Sequence, residues 1–331
     1  MRAVINPILE SDRAGSIVVM KSTVPPGTGT RFAATLSARG IGYVSNPEFL
    51  REGSAITDWE HADRIVLGGD IAAARQVADL YIGLDSPVVT CSIPTAELVK
   101  YASNAFLATK ISFINEIAAV CDLVGADVVE VAEALGLDHR IGRAFLNAGI
   151  GYGGSCFSKD THALGFLSSF NGYDFNLLRS VIEVNARQRM LPVKVLRAQL
   201  GDLAGHRVAV LGLAFKPGTD DTRESPGIDI ASLLLGEGAI VTAYDPLARA
   251  EIDDTGFSQC ETIGEAVRGA SALVVATEWP QITEADWSRL VHTMNTPRIV
   301  YDGRNALSGV AITAAGGRYI AVGRPTECTA R

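Results

Sequence analysis

A glycine-rich segment that ends in a cysteine carries the clearest chemistry in this sequence. Residues 149–156 are Gly-Ile-Gly-Tyr-Gly-Gly-Ser-Cys, and Lys159 and Asp160 follow three and four positions after Cys156. A cysteine attacks carbon as the thiolate, which nearby cations or helix-start amides favour. Glycines let the backbone approach a ligand closely because they carry no Cβ atom. The pattern is typical of covalent catalysis, although a lone cysteine beside a turn is more often a buried structural thiol.

The same segment matches the dinucleotide-binding pattern GxGxxG at Gly149, Gly151 and Gly154. That pattern binds a pyrophosphate only between a strand and the start of a helix, with an acidic residue about twenty positions later. Residues 143–147, which precede it, do not form a strand-like run, and helical patterns dominate both sides. We therefore predict that these glycines do not form a phosphate-binding Rossmann turn.

A long apolar stretch carries a second candidate pair. Residues 95–124 place apolar side chains at helical spacing without glycine or proline, which predicts one long helix that is buried or lies at a subunit contact. Lys100 and Asn104 are four residues apart on it and share one face. They need polar partners or a ligand there, but an exposed polar stripe would explain them equally well.

Two glutamates follow a short strand-like run at residues 41–44. Glu48 and Glu52 lie in the loop of residues 46–53. Carboxylates at the end of a strand can serve as general acid and base. Loop glutamates are more often only solvated, so both interpretations stay open at this point.

Two cations follow the predicted strand at residues 207–211, where open α/β sheets bind ligands. Lys216 and Arg223 together suit a phosphate or pyrophosphate group. The acidic neighbours of these cations could instead neutralise them in a solvated loop. Those neighbours are Asp220, Asp221 and Glu224.

Composition and charge exclude several classes of protein. The chain has 331 residues, 47% of them hydrophobic, and a net charge of −8, which argues against nonspecific binding to nucleic acid or to an anionic membrane. The odd number of cysteines, without a CxxC pair, indicates a reducing compartment, and the histidine spacing predicts no metal site. Without a signal peptide or a membrane-length apolar run, we expect a soluble cytoplasmic protein. The cysteines are Cys91, Cys121, Cys156, Cys260 and Cys328.

Alternating strands and helices place these residues in an α/β fold. We predict two Rossmann-like, doubly wound parallel-sheet domains, in residues 1–92 and 204–331, joined by a central helical domain in residues 93–203. The predicted strands are 17–20, 41–44, 65–67, 207–211, 240–244, 272–276 and 299–301. The predicted helices are 28–39, 71–82, 95–124, 128–135, 161–169, 177–200 and 228–235.

Seven segments, taken in order, resemble the UDP-glucose/GDP-mannose dehydrogenase family. One such segment is a weak signal, whereas seven in register over nearly the whole chain are a strong one. Residues 145–157 are most similar to the bacterial UDP-glucose enzymes, which implies UDP-glucose as substrate and NAD as cofactor; GDP-mannose and UDP-N-acetyl-mannosamine are the alternatives. The segments are residues 21–28, 46–53, 97–106, 140–149, 149–160, 215–225 and 302–304.

The resemblance implies that Cys156 is the nucleophile of a four-electron oxidation of UDP-glucose to UDP-glucuronate, in which two NAD⁺ act in turn. The thiolate would add to an aldehyde, and the thiohemiacetal would become a thioester that water hydrolyses. Lys100 would stabilise oxyanionic intermediates, with Asn104 donating beside it. The residues that would orient the water or handle protons are Thr23, Glu48 and Asp160.

The resemblance also implies binding residues and an assembly. It implies a homodimer through the long helix, in which Arg140 reaches the substrate of the neighbouring subunit. NAD would contact Thr23, Glu52, Lys159 and Arg223. UDP-glucose would contact Glu48, Phe49, Leu50, Arg51, Glu52, Lys100, Asn104, Phe145, Leu146, Asn147, Ala148, Gly149, Gly153, Phe215, Lys216 and Arg304.

One part of the family pattern is not found where this sequence starts. Family members begin with a strand and a GxGxxG turn that holds the NAD pyrophosphate at a helix start, whereas residues 1–13 align with a later helix of that domain. We therefore expect the first βαβ units of the NAD-binding domain to be missing, with an exposed hydrophobic sheet edge and weak NAD binding. The alternative function is that of a UDP-sugar-binding, dimerising fragment with impaired catalysis.

Overall fold

The computed structural model describes residues 2–11 and 13–325, so Cys328 lies outside the described part of the chain. The chain divides into two compact units, which are considered one at a time below. The predicted division into three domains stays a prediction. The two units are residues 1–105 with 163–173, and residues 106–162 with 174–331.

The first unit contains a four-stranded sheet. Its strands are β1 (Ile17–Met20), β2 (Gly42–Ser45), β3 (Ile65–Gly69) and β4 (Val88–Cys91), and they lie side by side in chain order. β1 and β2 are parallel, as are β3 and β4, whereas β2 and β3 are antiparallel. This pair departs from the predicted parallel sheet. β4 was not predicted from the sequence.

Helices cover both faces of this sheet. Tyr43 and Val44 face opposite sides because side chains alternate along a strand. Val44 packs in a cluster with Val77, and Tyr43 packs in another with Leu36. The helices are α1 (Arg2–Glu10), α2 (Thr28–Ser37), α3 (Ala55–Glu60) and α4 (Ile71–Ala78), and a 3₁₀ turn, Asp79–Tyr81, forms the end of the predicted helix 71–82.

The predicted long helix is confirmed as α5 (Ile93–Val124). α6 (Val128–Gly136) and α8 (Asn176–Leu200) also lie where the periodicity placed them. α7 (Ser155–Phe170) begins at Ser155 and not at Thr161, because its first turn is too polar to show an apolar stripe. Among the described residues, none of the helices has the length and hydropathy needed to cross a membrane.

The second unit contains a six-stranded sheet in which every neighbouring pair is parallel. Its strands are β5 (Arg207–Leu211), β6 (Ile240–Tyr244), β7 (Phe257–Gln259), β8 (Ala272–Val275), β9 (Ile299–Asp302) and β10 (Arg318–Ala321). Their order, β10-β9-β8-β5-β6-β7, is the doubly wound order of a Rossmann fold. Strand order therefore reverses between β5 and β8, and ligands of such sheets bind at that point.

Helices bury both faces of the six-stranded sheet. Val210, Leu273 and Val300 are fully buried in one continuous core, as expected for parallel strands that are covered on both sides. This rigid core fixes the loops that leave β5, β8 and β9. The helices are α9 (Pro226–Gly236), α10 (Ile263–Val267), α11 (Pro280–Thr283), α12 (Trp287–His292) and α13 (Gly309–Ala314).

Candidate active site

Cys156 lies in the first turn of α7 with its side chain exposed. Two aromatic rings pack around Phe157, the residue that follows Cys156. Phe157 packs edge-on against Tyr152 at 5.5 Å between ring centroids, and Phe145 lies 6.1 Å from Phe157. The structure thus contradicts the alternative of a buried structural thiol.

Asp160 follows Cys156 by one helical turn, so the two share a face of α7. Its side chain is 1% exposed, and one of its oxygens lies 3.7 Å from the ammonium of Lys159, which is itself largely exposed. A buried carboxylate with a cation beside it stays in place with little freedom. Cys156, Lys159 and Asp160 therefore lie within about one turn of the same helix.

Side chains from two helices hold the glycine-rich segment. The Gly149 N–H donates to Asn115 Oδ1 of α5 at 2.8 Å, and Gln188 of α8 donates to the Gly149 carbonyl at 2.9 Å. Asn185 accepts the Tyr152 N–H at 2.8 Å and donates to its carbonyl at 3.1 Å. Sequence reasoning missed these three amides, since a polar residue on a helix gives no sign of its partner.

Gly153 and Gly154 lie against the loop that follows β5. The Gly154 N–H donates to the Arg223 carbonyl at 3.0 Å. A Cβ atom on Gly154 would lie 2.7 Å from the ring of Phe215, and one on Gly153 would lie 2.8 Å from Pro226. Close backbone approach therefore explains these glycines, and the prediction that they form no dinucleotide turn agrees with helices α6 and α7 on either side.

Arg304 lies after β9, close to the point where the strand order reverses. Its guanidinium donates to the Ala276 carbonyl at 2.7 Å and to the Gly151 carbonyl at 3.0 Å. Glu278 lies 3.5 Å from the same guanidinium. Arg304 thus connects the predicted substrate loop to the end of β8.

A buried carboxylate holds the loop that contains Phe215 and Lys216. Asp245, at the end of β6, accepts the N–H groups of Leu213 and Ala214 at 2.7 and 2.9 Å, and the indole N–H of Trp279 at 3.0 Å. Asp245 was not among the predicted site residues, because its partners are distant in sequence. It keeps the start of the predicted nucleotide-binding loop rigid.

Two predicted cations are exposed and paired with near neighbours. Arg223 pairs with Asp221 at 2.7 Å, and Arg140 pairs with Asp138 at 2.6 Å. Asp221 thus neutralises Arg223, which agrees with the alternative of a solvated loop for this cation. Lys216 instead places its ammonium 5.5 Å from the ring centroid of its neighbour Phe215.

The remaining predicted substrate residues of the second unit precede Cys156 in sequence. Phe145 has a φ of 65°, an uncommon conformation for a bulky residue. Leu146 and Ala148 are buried beneath it, whereas Asn147 is exposed. Asn147 is therefore the exposed polar side chain of the segment.

In the first unit, Lys100 and Asn104 are both buried, at 9% and 7% exposure. This contradicts the alternative of an exposed polar stripe. One turn before Lys100, the carboxylate of Glu97 accepts the N–H groups of Gly27 and Gly29 at 2.7 Å each. Burial raises the pKa of Glu97, against the effect of those two hydrogen bonds.

Phe49 lies between two cations of the first unit. The Arg64 guanidinium stacks 4.1 Å from its ring centroid, and the Lys100 ammonium lies at 5.4 Å. Arg64 also donates to Ser103 Oγ on α5 at 3.0 Å. Arg64 therefore ties the predicted substrate loop to the helix that carries Lys100, a role the sequence did not indicate.

Glu48 forms an ion pair with Lys21, at 3.3 Å. Lys21 also donates to Asn46 Oδ1 and to the Tyr81 hydroxyl, both at 3.0 Å. Lys21 and Asn46 follow the neighbouring parallel strands β1 and β2, whose carboxyl ends meet at one sheet edge. Glu48 is thus a paired carboxylate and not merely a solvated one.

The rest of the 46–53 loop is held by a second ion pair. Arg51 Nη2 lies 2.6 Å from Asp58 Oδ1, and Arg51 lowers the pKa of that carboxyl well below its usual range. Leu50 is half-buried and Glu52 is exposed. The loop therefore turns back on α3 and presents Glu52 outward.

The chemistry of these side chains fits NAD, which carries ribose hydroxyls and a pyrophosphate. In the first unit, Thr23 and Glu52 follow β1 and β2 and supply a hydroxyl and a carboxylate where open sheets bind ligands. In the second unit, Lys159 and Arg223 are exposed cations that pair with Asp160 and Asp221. Ammonium and guanidinium groups suit phosphate oxygens. Within residues 2–11 and 13–325, no three His, Cys, Asp or Glu side chains converge as metal ligands.

Models of three domains of one family match this chain. The NAD binding domain of the UDP-glucose/GDP-mannose dehydrogenase family matches residues 1–84, its central domain residues 94–187, and its UDP binding domain residues 209–309. The expectation that the N-terminal part of the NAD-binding domain is missing is therefore not supported. Residues 2–10, which that expectation treated as a remnant, form α1 and pack on the core beside α2.

Curated and solved relatives agree with the family models. UDP-glucose 6-dehydrogenase YwqF of Bacillus subtilis is 46% identical over 318 residues, which are 93% of this chain and 72% of that protein. A UDP-glucose dehydrogenase from the archaeon Pyrobaculum islandicum matches with a TM-score of 0.87 and 40% identity, over 98% of this chain and 74% of that one. A UDP-D-ManNAc dehydrogenase from Pyrococcus horikoshii matches with a TM-score of 0.85 and 28% identity, over 98% and 77%. This chain belongs to the UDP-glucose/GDP-mannose dehydrogenase family.

Proposed function

We propose that this protein oxidises UDP-glucose to UDP-glucuronate with two molecules of NAD⁺. The observation that carries the proposal is the exposed Cys156 in the first turn of α7, with buried Asp160 one turn later. The 40–46% identity to proteins named for UDP-glucose supports the choice of sugar. UDP-N-acetyl-mannosamine is the weaker candidate, since the relative named for it is only 28% identical.

Cys156 divides a difficult oxidation into easier steps. Bound NAD⁺ supplies the hydride acceptor for both oxidations. The Cys156 thiolate adds to the C6 aldehyde and forms the thiohemiacetal, whose oxidation leaves a thioester on the same sulfur. Water then adds to the thioester carbon, the C–S bond breaks, and the acid leaves with the thiolate restored.

Buried polar groups stabilise the charge that develops on oxygen. Lys100 and Asn104, four residues apart on α5, present an ammonium and an amide to the oxyanions of the tetrahedral intermediates. Such donors act strongly because burial holds them in place before the reaction. Asp160, Thr23 and Glu48 orient the hydrolytic water or move its proton.

The two ligands are bound by the residues that the family resemblance implies. In the second unit, UDP-glucose is held by residues 145–149, Gly153, Phe215, Lys216 and Arg304. In the first unit, residues 48–52 contact the sugar nucleotide as well. NAD is held by Thr23, Glu52, Lys159 and Arg223.

We also propose a homodimer formed through α5, in a cytoplasmic protein. Phe106, Phe113 and Val120 recur every seven residues on α5 and are 66%, 52% and 50% exposed. An apolar stripe of this spacing is the pattern of a helix that packs on another helix. Arg140, which is exposed and pairs with Asp138, would extend to the partner's substrate.

The test is NADH formation by the purified protein with UDP-glucose, followed together with the sugar product. We expect two NADH for each UDP-glucuronate formed. Cys156→Ser should form no acid, whereas Cys260→Ser, at a half-buried cysteine of the same unit, should behave as the unaltered protein. Absence of UDP-glucose-dependent NADH from the unaltered protein would contradict the proposal.

A further inference from the structure

We propose that Lys21 is the positioning residue that holds Glu48 in the orientation needed for thioester hydrolysis. The inference rests on the proposed function, because it assigns a task to Glu48 in that reaction. Lys21 acts on the reaction through Glu48. It was not among the predicted site residues, although it begins the first of the segments that resemble the family.

Buried groups on one side of Lys21 fix the position of its ammonium. Lys21 donates to Asn46 Oδ1 and to the Tyr81 hydroxyl at 3.0 Å each. Asn46 is 2% exposed and is itself oriented by its donation to the Val66 carbonyl at 3.0 Å, while the Tyr81 hydroxyl donates to Asn46 Oδ1. Two buried oxygens therefore set the position of the cation.

Aromatic rings cover a further side of the ammonium. The Lys21 nitrogen lies 5.2 Å from the ring centroid of Trp59 and 5.6 Å from that of Tyr81, and these two rings pack together at 5.2 Å. Ring faces attract a cation within this range. Lys21 is consequently held on several sides by residues other than Glu48.

Glu48 is more exposed than Asn46 and Tyr81, the other two polar partners described for this ammonium. The side chains of Lys21 and Glu48 are 34% and 39% exposed, and their charged atoms lie 3.3 Å apart. Solvent screens such a pair, so it adds little to folding stability. The fixed Lys21 ammonium therefore orients the Glu48 carboxylate. The contact contributes to that orientation more than to folding stability.

Thioester hydrolysis depends on that orientation. Water adds its oxygen to the thioester carbon, Glu48 accepts the proton, and the C–S bond breaks to release the acid and the Cys156 thiolate. Both oxidations precede this step, so slower hydrolysis leaves them intact. Loss of Lys21 should therefore convert hydrolysis into the slow step, with the thioester accumulating.

The experiment compares Lys21→Met, Lys21→Arg and the control Lys194→Met, an exposed lysine of α8. We expect Lys21→Met to lower the steady-state rate roughly ten- to a hundredfold, as small misplacements of reacting groups do. Rapid mixing should then show a burst approaching two NADH per subunit, and intact-protein mass should show the bound uronyl group. Lys21→Arg should recover much of the rate, and Lys194→Met should match the unaltered protein.

Two outcomes overturn the inference while the unaltered protein still forms UDP-glucuronate. One is a Lys21→Met variant with the unaltered steady-state rate. The other is a slow Lys21→Met variant that shows neither a burst nor a covalent adduct, whether or not circular dichroism shows it to be folded, together with a Lys21→Arg variant that is equally slow. Failure of the unaltered protein to oxidise UDP-glucose would instead refute the proposed function.

Discussion

The carboxylate of Glu97 accepts the backbone N–H of Gly29 at 2.7 Å, and it accepts that of Gly27 at the same distance. A side chain of α5 thereby satisfies donors at the start of α2 that the helix itself cannot satisfy. Thr23 precedes α2 by one short turn, and Lys100 follows Glu97 by one helical turn. This contact therefore connects two parts of the proposed catalytic machinery within the first unit.

Replacing that carboxylate should destabilise the protein. Glu97→Gln sets an amide NH₂ against one of the two backbone donors, and we expect a loss of about 1–3 kcal/mol in the free energy of unfolding. Urea denaturation at neutral pH measures it. Glu60→Gln, at an exposed glutamate of the same unit, should have little effect. Equal stabilities of the two variants would show that the Glu97 contact does not hold α5 to α2.

The Arg51–Asp58 ion pair should make stability depend on pH. Asp58 also accepts the Arg51 N–H at 2.7 Å and the Ser54 hydroxyl at 3.1 Å. Arg51 lowers the pKa of Asp58 in the folded state, so this contribution is present at neutral pH and is lost as the pH falls below the ordinary range of an aspartate. Asp58→Asn should therefore cost about 1–2 kcal/mol at neutral pH and progressively less in acid.

Urea denaturation of the unaltered protein and of Asp58→Asn, at neutral and at acidic pH, measures whether the loss in free energy of unfolding becomes smaller in acid. Asp85→Asn, at an exposed aspartate of the same unit, serves as the control and should show no such trend. A difference for Asp58→Asn that grows on acidification would contradict the assignment.

Gly154 should tolerate no side chain because the ring of Phe215 lies beside it. Gly154→Ala combines a φ of +80° with a Cβ atom 2.7 Å from the Phe215 ring, whereas Gly142→Ala has a φ of +68° and open space. Both changes carry the strain of the left-handed region, about 1 kcal/mol. We expect only Gly154→Ala to reduce kcat/KM for UDP-glucose, by roughly tenfold or more. Equal losses would show that backbone strain alone explains the glycine.

The exposed stripe on α5 should govern assembly. Phe113→Glu places a charge in the middle of the apolar stripe of Phe106, Phe113 and Val120, and we expect it to convert a dimer into monomers. Light scattering coupled to size-exclusion chromatography measures the mass. Leu247→Glu changes a side chain of similar exposure, 57%, outside α5 and should leave the mass unchanged. A Phe113→Glu dimer would place the subunit contact elsewhere.

Local pattern was sufficient for several elements of this protein. Apolar periodicity over residues 95–124 predicted α5, and short apolar runs predicted β1, β5 and β6 within a residue, because each signal lies within one element. The site residues Cys156, Lys100 and Asn104 came from residue types at fixed spacings. Such spacings can be recognised in the sequence because the residues lie on one helix or in one loop.

The tertiary structure decided which side chains support those residues. Lys21 meets Tyr81, and Asp245 meets Trp279, across long separations in sequence. The antiparallel pairing of β2 with β3 likewise depends on the path of the intervening chain. A sequence shows which groups can donate or accept, but burial and packing of distant segments determine which partner each one finds.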